Sequence, residues 1–275
     1  MKVLSTVIRS LMISVVATAA LFAQISVVSE LSQDTDVRTG QTYTGTIVLH
    51  NDTNEPQEAK IYQTDYTFQF DGTNKYGVPG SHPRSNAPWI SFSPAFITLP
   101  PKGLASVNYV ITVPKETPAH KLVGTYWSML MVEGIRKGSA ESSSQPKNGA
   151  AEMGITQNIR YGVQIATSIE KTGEKKIRFV ATNLNAKKGG KRMLDIDIEN
   201  IGDLGMRPDV YVELFNNRGV SMGQYPGMKY RIYPGTSVRQ LIDVSKVKKG
   251  TYKAMVAVDA GGDNVFGAQY TLNFK

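Results

Sequence analysis

The chain has 275 residues, no cysteine and three histidines, and its 31 basic against 23 acidic side chains give a net charge of +8. The absence of cysteine excludes a disulfide framework, so stability must come from core burial, which a chain of this length can supply. The basic residues are scattered, with small clusters at 171–178 and 187–192 and no aromatic interleaving, so no nucleic-acid partner is expected.

Residues 1–23 read as a secretory signal peptide: Lys2 and Arg9 precede an apolar run over 11–22, and Ala23 supplies a small residue before Gln24. That run falls short of the roughly 20 residues a transmembrane helix needs. No later stretch is apolar for long enough, so an exported protein that does not span the membrane is expected, with the mature chain starting near Gln24.

From residue 24 the hydrophobic pattern has period two and is broken repeatedly by Gly, Pro, Asn and Asp, the mark of antiparallel β structure. It predicts strands at 25–31, 42–50, 57–70, 89–93, 105–113, 124–133 and 155–169. A polar stretch at 171–176 then suggests a domain boundary. Seven more strands are predicted at 177–183, 193–200, 208–215, 229–233, 237–244, 250–259 and 265–274. The fold class that follows is all-β, with two immunoglobulin-like β-sandwich domains in tandem, 24–170 and 171–275. In the second domain Leu194, Ile196 and Ile198 alternate with Asp195, Asp197 and Glu199, which predicts one apolar and one acidic, solvent-facing side. Residues 134–154, rich in Ser, Gly, Lys and Ala, read as a long mobile loop.

Four stretches of the first domain resemble the periplasmic pilus-assembly chaperone family. They are Gly45-Thr46-Ile47-Val48-Leu49-His50-Asn51-Asp52-Thr53, then Trp89-Ile90-Ser91-Phe92-Ser93-Pro94 followed by Ile97-Thr98-Leu99-Pro100-Pro101-Lys102-Gly103. Val113-Pro114 with Gly124-Thr125-Tyr126-Trp127-Ser128-Met129-Leu130-Met131, and Ile159-Arg160-Tyr161-Gly162-Val163-Gln164-Ile165, complete the set. The resemblance implies that the last strand of the first domain binds an exported client, a fimbrial or surface-fibre subunit, by strand addition. Ile159, Tyr161, Val163 and Ile165 share one face at i, i+2 spacing and are the expected client-binding residues. The family also implies a pair of basic residues that anchor the client's terminal carboxylate. Arg160 is placed like one of them, while 30–34 holds no counterpart and Arg38 lies too far along. A looser similarity to two-domain, cell-wall-associated binding proteins of Gram-positive bacteria carries the alternative: a structural or adhesive surface component that binds cell-wall polymer or a neighbouring envelope protein.

Catalytic readings find little to rest on. His50, His82 and His120 are widely spaced and show no ligand pattern, and nothing resembles a nucleophile elbow or phosphate loop, so no enzyme activity, metal or cofactor is expected. Residues 259–264 could hold a weak calcium ion or form a plain hairpin turn. Asn51-Asp52-Thr53 matches both a glycosylation acceptor and an Asx turn.

Overall fold

A computed structural model of the chain describes residues 24–118, 121–135, 139–143, 159–186 and 190–274. The predicted signal peptide, His120 and residues 155–158 of the predicted seventh strand lie outside them.

The first half builds two facing sheets. One holds β1 (Ile25–Val27), β3 (Thr42–Asn51), β8 (Leu104–Thr112) and β6 (Ile90–Ser93), in that order. The other runs β2 (Ser32–Val37), β10 (Arg160–Ile169), β9 (Thr125–Ile135), β4 (Gln57–Phe68) and β5 (Asn74–Gly77), with β7 (Phe96–Leu99) also on β4. Alternation decides what each strand contributes: Ile47 and Leu49 of β3, Val107 and Ile111 of β8, Leu130 and Val132 of β9, and Val163 and Ile165 of β10 point between the sheets and are buried. At roughly 1.5–3 kcal/mol for each fully buried aliphatic side chain, this cluster is the main favourable term for the first sandwich.

The second half repeats the plan. Its sheets are β11 (Ile177–Ala186), β12 (Arg192–Asn200) and β15 (Ser237–Asp243), facing β14 (Ser221–Pro226), β13 (Asp209–Phe215), β16 (Gly250–Asp259) and β17 (Val265–Phe274). Leu194, Ile196, Val212, Leu214, Ala254 and Val256 fill the space between them. Two sandwiches of immunoglobulin type therefore follow one another, and no strand lies between Ile169 and Ile177.

Several expectations change. The predicted strand at 25–31 ends early, at Val27: β1 lies in one sheet, and the chain then crosses to the other, where β2 begins at Ser32. Strands β2, β5, β7 and β14 were not predicted; they are edge elements of four to six residues with little apolar alternation. Residues 229–233 contribute only an isolated bridge from Ile232 to Met206. The acidic side of β12 is not solvent-facing, since Asp195 and Asp197 are buried. As the middle strand of three, β12 has its carboxylates covered from both sides: Arg239 of β15 grips Asp197 at 2.6 and 2.7 Å, and Asn185 of β11 donates to Asp195 at 2.7 Å. In the predicted mobile loop, Gly134 and Ile135 belong to β9, and residues 139–143 form a turn in which Ser142 Oγ donates to the Glu58 carboxylate at 2.7 Å. Residues 136–138 and 144–154 lie outside the described residues.

Each sandwich closes an early strand with a buried asparagine. Asn51 Nδ2 donates to the carbonyls of Glu55 at 2.8 Å, Pro100 at 2.9 Å and Leu99 at 3.3 Å, while its Oδ1 accepts the Thr53 amide at 2.9 Å. Asn200 does the same, with its Nδ2 on Leu204 and Ile232 and its Oδ1 accepting from Gly202. With its side chain fully enclosed, Asn51 is an Asx turn and offers no amide to a glycan. Asn51→Ala should strip the donor from buried carbonyls and lower stability by about 2–3 kcal/mol, read as a fall in the urea midpoint. Asn200→Ala should have a similar effect.

Candidate functional site

Strand β10 is paired along its whole length with β9, from Arg160↔Glu133 to Ser168↔Thr125. On its other side β2 runs parallel to it, but only from Gln164↔Ser32 to Ile169↔Val37. The Gln164 amide donates to Leu31 O at 2.8 Å, so even-numbered residues of β10 turn their N–H and C=O groups toward β2 and odd-numbered ones toward β9. By that alternation Arg160 and Gly162 direct their backbone groups to an edge that no described strand covers. Exposed Leu31 stands where this open stretch begins.

The four residues expected to contact a client are divided by the fold. Val163 and Ile165 are fully buried in the first core, Tyr161 packs against it, and Ile159 is half-buried. Val163 and Ile165 are therefore core side chains and do not present a free face, a correction to the expectation of a single client-facing row. Arg160 is exposed and reaches Glu133 at 3.1 Å, and Glu133 also lies 3.9 Å from Lys60 and accepts from Tyr62 Oη at 3.2 Å. A carboxylate arriving at Arg160 would meet the buried Glu133 as well. Arg38 sits at the opposite end of β10, 3.3 Å from Glu170, so the two arginines form no clamp.

The face of this sheet turned away from the core is arranged in cross-strand rows. Lys60, Glu133 and Arg160 form a charged row; Tyr62, Met131 and Gly162 the next; Thr64, Met129 and Gln164 the third. A Cβ at Gly162 would lie 2.0 Å from Met129 Cε, so a larger residue there would push the Met129 side chain aside. Trp127, Met129 and Met131 alternate along one strand, a pattern that reads as core, and they are buried, but on this outer face.

Trp127 is covered by the second sandwich. Its indole stacks on Tyr233 with centroids 4.6 Å apart and planes 6° from parallel, and its Nε1 donates to Tyr66 O at 2.7 Å. Tyr233 Oη in turn donates to Gln164 Oε1 at 2.9 Å, and burial pushes its pKa well up. Around this stack Arg231 pairs with Asp34, and Arg84 with Asp203 at 2.6 Å. Burial raises the pKa of Asp34 and outweighs the opposing pull of Arg231. Gly124, at φ 72°, allows the close approach of this second half: a Cβ there would fall 2.1 Å from Asp203 O.

The histidines do not converge. His50 bonds Asp52 at 2.7 Å at the end of β3, while His82 lies 5.0 Å from the Trp127 ring, centroid to centroid. Among the described residues no group of three or more His, Asp or Glu is placed to hold a metal ion. Residues 259–264 make a hairpin turn, with Gly261 N donating to Asp259 Oδ1 at 2.8 Å. Among the described residues no helix is long and apolar enough to cross a membrane.

The architecture is thus an all-β pair of immunoglobulin-type sandwiches whose joint face carries a partly open edge strand. No family model matches the chain, and no curated protein is similar to it in sequence. Solved structures similar to it include the class 5 fimbriae chaperone CfaA, at TM-score 0.45 and 16% identity, covering 90% of this chain and 98% of that one. The E. coli chaperone DraB gives 0.38 and 11% over 91% and 98%. A chain from the Salmonella enterica complex of SafA pilin with the SafB chaperone gives 0.40 and 11% over 92% and 99%.

His82 yields a pH dependence. Burial lowers its pKa below the ordinary 6.5 despite Asp65 nearby, and its Nδ1 accepts the Arg84 amide at 3.1 Å, which requires that nitrogen to be unprotonated. The unfolded chain therefore takes up the proton more readily, so the stability His82 contributes is complete above 6.5 and is lost as pH falls below it. The urea midpoint should drop between about pH 7.5 and about pH 5.5, and by less in His82→Gln. An equal drop in both proteins would assign the acid sensitivity to other groups.

Proposed function

We propose that this protein is a chaperone-type binder of an exported polypeptide, which it holds by adding an extended client segment to the open edge of β10 at Arg160, Tyr161, Gly162 and Val163. The observation that carries this reading is the early end of the β2 pairing: two outward-facing backbone units, those of Arg160 and Gly162, stand without a strand partner among the described residues. A client strand there would gain main-chain hydrogen bonds in the manner of β-augmentation. Its alternate side chains would fall beside half-buried Ile159 and Tyr161 on one face and beside the Arg160 and Gly162 rows on the other. The work needs no cofactor. The sequence resemblance to pilus-assembly chaperones supports a fimbrial or surface-fibre subunit as the client, and the signal-peptide pattern supports the periplasm as the place. The same resemblance supports 24–170 as the client-binding domain and 171–275 as its partner.

Two substitutions at one position separate backbone addition from charge anchoring. Arg160→Pro removes an outward N–H without taking a hydrogen bond from the β9 ladder, whereas Arg160→Ala removes the charge and keeps the amide. Capture of an exported subunit from periplasmic extract should fall at least about tenfold for Arg160→Pro and by less than about threefold for Arg160→Ala. In the complex, hydrogen exchange at the Arg160 and Gly162 amides should slow. Equal losses in both variants, or unchanged exchange at those amides, would count against strand addition.

A further inference from the structure

The outer face of the first sandwich ends, toward the second, in a pocket of about 360 Å³ between the β4–β5 hairpin and residues 230–239. Tyr66, Phe68, Phe70 and Tyr230 line it together with Gln164 and Arg239. The rings are already organised: Tyr66 and Phe68 lie 5.4 Å apart, and the Arg239 guanidinium sits 5.5 Å over the Phe70 ring.

Charge narrows the choice of occupant. Two guanidiniums line the pocket, but Arg239 is bound to Asp197 through two hydrogen bonds and Arg231 is paired with Asp34. A further anion would have to displace a carboxylate already in place, so the pocket is fitted to a neutral group. Aromatic faces and edges, beside a guanidinium stacked on a ring, favour another aromatic ring. The volume stands at the small end of the roughly 300–1,000 Å³ typical of organic-ligand sites, which suits one ring and little more.

Gln164 connects the pocket to a partner. Its amide marks the end of the covered part of β10, and its side chain is part of the pocket wall. A strand laid along Arg160 and Gly162 would therefore end beside Gln164, one wall of the pocket. We propose that the pocket receives a Phe, Tyr or Trp side chain of the polypeptide that adds to β10. The identity of the partner rests on the strand-addition reading; the aromatic preference of the pocket does not.

The probe is N-acetyl-L-tyrosinamide, with N-acetyl-L-leucinamide as control, titrated into the folded chain and followed by NMR shifts of the lining rings. Tyrosinamide should give saturable shifts at those rings, and leucinamide should bind at least about fivefold more weakly. Asn74→Trp, which adds bulk at an exposed position on the pocket rim, and Phe70→Ala should each weaken tyrosinamide by at least about tenfold. Arg160→Pro should leave tyrosinamide binding unchanged, so that loss of strand addition and loss of the pocket are read separately. Equal shifts from the two amides, or undiminished binding in both Asn74→Trp and Phe70→Ala, would overturn the pocket. Tyrosinamide binding with client capture unaffected by Asn74→Trp would overturn the assignment of the ring to the client.

Discussion

The parallel pairing of β2 with only the C-terminal half of β10 is the constraint on which the rest of this structure depends. Because the chain leaves β1 in one sheet and enters β2 in the other, it ties the two sheets of the first sandwich together and also covers part of a strand that would otherwise be an edge. The covered part, Gln164–Ile169, is where the second sandwich docks, through Gln164, Ala166 and Trp127 against Tyr233. The uncovered part, beginning at Arg160, keeps its outward backbone groups unspent among the described residues. One strand thus serves as core wall, domain seam and open edge, and the point at which β2 begins divides these roles.

Much of this was legible in the sequence. The period-two pattern located thirteen of the seventeen strands, because burial on one face forces alternation that polar composition cannot imitate. Three of the four misses share a cause. Strands β2, β5 and β14 carry sequences such as Ser-Gln-Asp-Thr-Asp-Val, held by backbone pairing with a neighbour and little by side-chain burial, so nothing in their composition announces them. The burial of Asp195 and Asp197 was hidden for a related reason: their partners, Asn185 and Arg239, come from strands on either side, and pairing across a sheet is not written in the local sequence.

The candidate site was legible as a strand and illegible as a surface. Ile159, Tyr161, Val163 and Ile165 do share a face, as their spacing requires, but that face turns inward, and Val163 and Ile165 are consumed by the core. Whether an alternating apolar row lines a core or meets a client depends on what stands opposite, which here is β3 and β8 of the same sandwich. The outer face drew its burial from elsewhere. Trp127, Met129 and Met131 looked like core because they are apolar and alternate, yet the partner that covers Trp127 is more than a hundred residues away in the chain.

An open strand edge is a hazard as well as an opportunity, because any other edge can pair with it. Three features limit that hazard here. Among the described residues the stretch is short, from Arg160 to the start of β2 pairing at Gln164, and it offers few hydrogen bonds to template self-association. Its first residue is an arginine at the end of a row shared with Glu133 and Lys60, and charge at an edge disfavours a second apolar strand. Its outward groups are backbone, which are equally satisfied by water when no partner is present. A client that supplies side-chain contacts in addition to its backbone escapes these limits, whereas a second copy of the same edge would set one Arg160 row against another. The geometry that makes the edge safe in isolation therefore also makes its binding conditional on what the partner adds beyond hydrogen bonds.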